Sequence, residues 1–165
     1  TSGKELSIYD EETKEKIVPH VIAEPSLGVE RAFLVFMFDA YSYDKTRDNV
    51  VLKLDPKLAP VKVGVFPLVN KLEKEALAVY DLLKNDFNCS YDKSGSVGKR
   101  YARNDEMGTP YCITVDFDSS KKNDCTIRDR DSTKQIRVKV NDLRETIRKL
   151  IDKEIKFEDA GKVVK

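Results

Sequence analysis

Seven consecutive apolar residues, Ala32-Phe33-Leu34-Val35-Phe36-Met37-Phe38, sit inside a stretch running from Val29 to Tyr41, just after Pro25-Ser26-Leu27-Gly28. The Pro-Ser-Leu-Gly segment offers a turn and a helix start, and the run that follows predicts a helix apolar on every side. Such a helix needs cover all round. The chain changes composition near Leu58, so too little sequence lies on this side of the change to supply that cover. Its expected neighbours are a second polypeptide or sequence beyond these 165 residues. The run is too short to cross a membrane, which takes roughly 20 apolar residues. Lys4, Glu5 and Asp10 near the start do not fit a signal peptide, so a soluble, cytoplasmic chain is expected.

Charge sharpens the division. The chain carries 30 Lys and Arg against 29 Asp and Glu, which excludes a basic tail. Residues 1 to 58 hold 8 basic and 11 acidic groups, leaving 22 basic and 18 acidic groups for the rest. A domain boundary is therefore expected near 56 to 60, where Lys57-Leu58-Ala59-Pro60 closes an irregular polar stretch. Before it, Lys16 to Ile22 alternates as a strand interrupted by Pro19. Beyond it, Val61 to Leu68 lacks polar alternation and suits a strand covered on both faces. Leu72, Ala76, Val79, Tyr80, Leu82 and Leu83 mark a helix over 71–84. Then come a short strand at Asn88 to Tyr91, a polar helix from Val97 to Met107 that Gly108 can close, and a strand from Tyr111 to Phe117. A hairpin pairs Cys125 to Arg130 with Gln135 to Val140, and a helix carries Leu143, Ile147, Leu150 and Ile151. The order β-α-β-α-β-β-α predicts an α/β fold, a mixed five-stranded sheet with helices on its faces. The tail from Lys153 reads as frayed.

No catalytic set is complete. His20 is the single histidine and has no nucleophile at a suitable spacing, so a triad or a histidine-based metal site is not expected. Cys89, Cys112 and Cys125 match neither a disulfide framework nor a zinc pattern and read as reduced, packed thiols. Two stretches stand out. In Glu24-Pro25-Ser26-Leu27-Gly28-Val29-Glu30-Arg31, a guanidinium at the start of an apolar helix suits either a phosphate clamp or an ion pair with Glu24 or Glu30. From Ser94 to Asp131, basic groups interleave with aromatics, in Lys99-Arg100-Tyr101-Ala102-Arg103 and then Thr114, Phe117 and Arg128-Asp129-Arg130-Asp131. That pattern suits either a surface for an RNA loop or a solvated face cross-linked by ion pairs. On a strand, Arg128 and Arg130 would share one face and the two aspartates the other.

At these stretches the sequence resembles the homodimeric class II glycyl-tRNA synthetases. The resemblance is carried by Ser2-Gly3-Lys4-Glu5-Leu6, Val18-Pro19-His20-Val21-Ile22, Glu24 to Arg31, Leu58-Ala59-Pro60-Val61-Lys62-Val63, Ser94 to Tyr101, Asp105-Glu106-Met107-Gly108-Thr109-Pro110 and Thr126 to Asp131, in the same order over residues 2 to 150. It implies that residues 1–58 are the end of an antiparallel-sheet class II catalytic domain with its motif 3 helix. Residues 59–152 would be an anticodon-binding domain and 153–165 a tail. By the same resemblance Arg31 contacts ATP phosphates, and Glu24 and Ser26 line the glycine pocket. Thr114, Phe117 and Arg130 touch anticodon bases, with Phe117 stacking and Arg130 bonding a base edge, while Lys99, Arg100 and Arg103 belong to the same tRNA-facing surface. No protein metal ligand is implied. ATP with magnesium, glycine and tRNA(Gly) are the implied cofactor and partners, and the whole enzyme would be a homodimer while this chain could be monomeric.

Two departures qualify the resemblance. Ala23 stands as an extra residue between Ile22 and Glu24, which reverses the facing of a strand unless a bulge absorbs it. Motifs 1 and 2 have no counterpart here. Arg31 alone cannot position a carboxylate against a phosphate and stabilise the charge that develops, so this chain alone is expected to bind tRNA without forming an adenylate. The alternative is a non-enzymatic nucleic-acid-binding protein that reuses such a domain, as polymerase accessory subunits do.

Overall fold

A computed structural model describes residues 7–18 and 25–164, and the chain divides into two compact units, residues 1–33 and 34–165. In the first, β1 (Ile8–Asp10) and β2 (Glu15–Ile17) form an antiparallel hairpin pairing Ile8 with Ile17. The Asp10 carboxylate ties its turn, accepting from the Glu12 N–H at 3.2 Å and the Thr13 hydroxyl at 2.7 Å. The strand expected over 16–22 is thus seen only as far as Ile17. Its remaining residues from Pro19 on, with His20, Ala23 and Glu24, lie outside the described residues.

The expected apolar helix is α1 (Val29–Ala40). Cover all round is not what it has. Ala40 is buried and Met37 half-buried against Leu52, Leu54 and Ala59, whereas Phe33, Leu34, Val35, Phe36 and Phe38 are exposed.

The second unit continues with β3 (Tyr41–Asp44), β4 (Asn49–Leu52), β5 (Val63–Pro67), α2 (Glu73–Leu83), β6 (Cys89–Tyr91), α3 (Val97–Met107), β7 (Tyr111–Val115), α4 (Phe117–Lys122), β8 (Asp124–Asp129), β9 (Gln135–Lys139), α5 (Leu143–Ile151) and β10 (Lys162–Val163). One sheet runs β10-β9-β8-β7-β5-β6. β5 is parallel to β6 and β7, and the other pairs are antiparallel.

The sheet has six strands, not the five expected. The tail after Lys153 is not frayed through its described length. Phe157 stacks on Tyr111 at 6.4 Å between centroids, β10 pairs with β9, and the Val164 N–H donates to the Gln135 carbonyl at 2.9 Å. Gly161 allows this approach, because a Cβ there would lie 2.8 Å from the Arg137 carbonyl oxygen. A second difference is that β7 stops at Val115, and Phe117 opens α4 instead of ending the strand.

Period-two alternation gives the sheet two unlike faces. Val63, Val65, Ile113, Val115, Cys125 and Ile127 pack under Ala76, Val79 and Leu83 of α2 and Leu143, Ile147 and Leu150 of α5. The opposite face presents Gly64, Phe66, Cys112, Thr114, Thr126, Arg128 and Arg137. Across it lies α3, close enough that a Cβ on Gly64 would meet Asn104 Oδ1 at 2.6 Å. Gly108 ends α3 in the left-handed region at φ 77°, where glycine carries no Cβ penalty.

The β3–β4 hairpin is tied to the rest of the second unit by side-chain bonds. Asn49 Nδ2 donates to the Ala102 carbonyl at 3.1 Å. The Arg47 guanidinium donates to Asp105 Oδ2 at 3.2 Å, the Arg130 carbonyl at 2.7 Å and the Asp131 carbonyl at 3.0 Å. Asp105 is 2% exposed and also takes both Arg128 Nη groups, at 2.8 and 3.0 Å. Removing the carboxylate leaves a buried guanidinium unpaired, which costs about 3–5 kcal/mol. Asp105→Ala is therefore expected to lower unfolding free energy by that amount in urea titration. The double variant Asp105→Leu/Arg128→Met, which removes the buried pair and leaves Arg47 on Asp44 and the Arg130 and Asp131 carbonyls, should recover much of the loss.

Candidate nucleic-acid interface

β6 and β7 flank β5 on opposite sides, so the chain's direction of travel across the sheet reverses there. Open α/β sheets leave a crevice at the carboxyl ends of the strands at such a reversal. Here those ends are Pro67 and Leu68 after β5, and Asp116 and Phe117 after β7, joined by the Leu68 N–H donating to the Val115 carbonyl at 2.8 Å.

The amino end of α3 is fastened to the same end of the sheet. Arg100 donates to the Pro67 carbonyl and, from Nη2, to the carbonyls of Lys93 and Gly95 at 2.9 and 2.7 Å. Arg103 Nε donates to Asp92 Oδ2 at 3.0 Å, and its Nη2 reaches the Ser94 carbonyl at 2.8 Å. Both arginines thereby staple the loop after β6, whose carbonyls have no ladder partners. Ser96 caps the helix, its Oγ accepting from the Lys99 N–H at 3.4 Å, and Lys99 itself is exposed.

Phe117 stands 56% exposed at the first turn of α4. Thr114 lies on the adjacent strand, its Oγ1 2.7 Å from the Tyr101 hydroxyl. Tyr101 in turn packs edge-on against Phe66 and lies under the Arg128 guanidinium at 4.7 Å. Asp116 fixes where Phe117 projects. Its Oδ1 accepts from the Ser119 N–H at 2.9 Å while Ser119 Oγ accepts from the Asp116 N–H at 3.0 Å, a reciprocal cap. Arg137 on β9 clamps Asp116 from one amino group and Asp124, at 2.6 Å, from the other. Burial pushes the Asp116 carboxyl up, but the Arg137 guanidinium and the Ser119 donors outweigh it and hold it below the ordinary aspartate value. Arg137 is held above the ordinary arginine value by its bonds to Asp116 and Asp124, against its own burial.

The expected site residues are thus only partly brought together. Lys99, Arg100, Arg103, Thr114 and Phe117 belong to one end of the sheet. Arg130 is at the other, a helix length of about 16 Å away. It is 2% exposed, its Nη1 donates to the Gly108 carbonyl at 2.9 Å, its Nη2 to the Leu54 carbonyl at 2.9 Å, and its Nε to Asp131 at 2.8 Å. The expectation that Arg130 bonds a base edge is corrected on that ground, because its donors already serve the carbonyls where α3 ends. Arg100, 3% exposed, is likewise a frame residue. Ser26 and Arg31 are exposed beside the start of α1, which the Ala32 N–H opens by donating to the Gly28 carbonyl at 3.0 Å, and Glu24 lies outside the described residues. Sequence reasoning missed Asp116 and Arg137, and it took Tyr101 for part of an RNA-facing stretch where the structure has its hydroxyl on Thr114 and its ring under Arg128. Asp116-Phe117-Asp118-Ser119 carried a legible capping pattern, whereas nothing in the sequence announced the partners of Arg137.

Other chemistry finds little support. Burial pushes the Cys89 thiol up to about 11 and that of Cys125 to about 12, and raises Cys112 further, so none is a thiolate near neutral pH. Among the described residues no group of three or more His, Cys, Asp and Glu side chains is placed to hold a metal ion, and no helix is long and apolar enough to cross a membrane.

A family profile described as "Anticodon binding domain" matches residues 62–150, more than half of the chain. The glycine-tRNA ligase of Acetivibrio thermocellus is 48% identical over 145 residues, covering 86% of this chain and 31% of that protein. That of Clostridium acetobutylicum is 48% identical over 153 residues, covering 91% and 33%, and that of Malacoplasma penetrans 54% identical over 145 residues, covering 86% and 31%. The chain spans about a third of the length of the curated relatives it matches.

Because the folded-state pKa of Asp116 is depressed, its contribution to stability is fully present above the unfolded value, about 3.9. It is lost as pH falls below that value and through the folded one. Asp116→Asn is expected to be less stable than the parent at pH 7 and to show a shallower loss between pH 5 and 2, as read by melting temperature against pH.

Proposed function

The chain belongs to the anticodon binding domain family, and we propose that it holds the anticodon loop of tRNA(Gly) in the crevice at the carboxyl ends of β5 and β7. The observation that carries this reading is Phe117, a large aromatic ring left exposed on a helix start fixed by a reciprocal cap. An unstacked base gains a partner on such a ring, and the fixed backbone spares the cost of ordering it. Thr114, buried and bonded to the Tyr101 hydroxyl, would reach a base edge only by exchanging that bond. Lys99 and the half-exposed Arg103 offer positive charge to the phosphates, which positions the strand without reading it. Tyr101 and Arg100 keep this surface in shape from beneath.

For the whole protein we infer a homodimeric, cytoplasmic glycine-tRNA ligase that joins glycine to tRNA(Gly) at the expense of ATP with magnesium. The relatives' printed name supports this over a non-enzymatic binding protein. Within it Arg31 would meet ATP phosphates, and Glu24 and Ser26 would meet glycine. One guanidinium and one hydroxyl exposed by a helix start do not enclose a nucleotide. The described residues therefore do not fit ATP and magnesium by themselves, and the part they play in the reaction is to deliver the tRNA.

Phe117→Ala is expected to weaken binding of a tRNA(Gly) anticodon stem-loop by about 1–3 kcal/mol, the range for one lost base–aromatic stack, with melting temperature unchanged. Fluorescence anisotropy with a labelled stem-loop measures it, and an unaltered affinity would remove Phe117 from the site.

A further inference from the structure

Strand register carries the polar row of the sheet past Thr114 to its far edge. Thr114 pairs with Thr126, Thr126 with Arg137, and Arg137 with Lys162. Paired residues point to the same side, so all four belong to the face on which α3 lies. Lys139, two residues beyond Arg137, shares that side. Arg137, Lys139 and Lys162 line one open depression of about 270 Å3, together with Asp124 and Val138. Two carboxylates stand among them, since Asp116 and Asp124 both hold Arg137. Lys139 Nζ lies 3.9 Å from Asp124 Oδ2 and donates to the Lys122 carbonyl at 2.7 Å. Three cations against two carboxylates leave a positive surplus. Lys139 and Lys162 carry it in exposed side chains, while Arg137 is anchored.

Resting on the anticodon reading above, we propose that Arg137, Lys139 and Lys162 form a phosphodiester subsite, which grips the backbone of the bound RNA where it leaves the crevice. The depression is open and bordered by cations, which suits a passing chain of phosphates better than an enclosed small molecule. It is linked to the Phe117 end of the sheet by strand pairing through Thr126 and Thr114, which are themselves buried, and by the Arg137 clamp on Asp116. The subsite exists only because β10 closes the sheet, placing Lys162 opposite Arg137. Arg137 serves both places: it fixes charge in the depression and, through Asp116, holds the helix start that presents Phe117.

The test titrates the 165-residue chain against a labelled tRNA(Gly) anticodon stem-loop over a series of KCl concentrations. Lys139→Ala/Lys162→Ala is expected to lower the slope of log affinity against log salt by about 1 to 2. The fold-loss should be the same for stem-loops with altered anticodon bases, and Lys139→Arg/Lys162→Arg should restore the slope. Both lysines are exposed, and an unchanged melting temperature verifies the fold. An unchanged slope in the double alanine variant would overturn the subsite. If Phe117→Ala still weakens binding in that case, the anticodon reading stands without the subsite. A lowered slope alongside a Phe117→Ala variant of parental affinity would keep the phosphate subsite and defeat the placement of the base.

Discussion

Asp105 is the residue on which the second unit turns. It sits on α3, yet its two oxygens are shared by Arg128 from β8 and Arg47 from the β3–β4 hairpin. Three segments far apart in the sequence are thus locked by one buried carboxylate. A charge out of water is tolerable only when paired and hydrogen-bonded, and this one is matched by a two-pronged guanidinium fork on one side and a single prong on the other. The Arg128 guanidinium also lies over the Tyr101 ring, so the same clamp supports the hydroxyl that meets Thr114.

That arrangement depends on the sheet having unlike faces. The face under α2 and α5 is aliphatic and sealed. The other admits α3 only because Gly64 gives it room, and beyond α3 it remains polar. Buried arginines finish the job that secondary structure leaves undone. Arg100 satisfies loop carbonyls at one end of α3 and Arg130 satisfies carbonyls at the other. Both use the planar fork of donors that a lysine would lack.

Much of this fold was legible in the sequence, for reasons specific to each element. Val97 to Met107 with Gly108 after it carries its own stop signal, and the helix ends there with the positive φ that glycine supplies. The apolar run at Val61 to Leu68 could belong only to a strand covered on both sides, and β5 is buried throughout. Alternation along β8 put Arg128 toward α3, while Arg130 lies past the end of the strand, in the turn, and reaches the Gly108 carbonyl from there. Periodicity could not say whether that face would be solvent, RNA or interior, and it is interior because Asp105 and the end of α3 wait there. Short elements escaped for want of a period. A six-residue helix such as α4 shows no amphipathic repeat, and β10 is defined by a partner strand more than twenty residues earlier. The hairpin of β3 and β4 looked like an irregular linker because its reason to exist is a long-range ion pair.

Near-neutral total charge excludes a basic tail but says nothing of how the charges are distributed, which the structure shows. Arg128, Arg130, Arg100 and Arg47 are spent on interior carboxylates and carbonyls, so they add nothing to an RNA-facing field. Asp105 is withdrawn with them. What governs attraction of an RNA strand is the charge left facing outward near the crevice, within a screening length of about 8–10 Å. There, Lys99 and the edge cations Lys139 and Lys162 stand on either side of the exposed Phe117 ring, beside which Asp116 and Asp118 are each paired with a cation. Uncharged groups at the centre can discriminate bases, whereas charges at the flanks hold any phosphate. A near-neutral chain can therefore carry a cationic track only where outward-facing lysines gather locally, because the interior here takes up more arginines than acids.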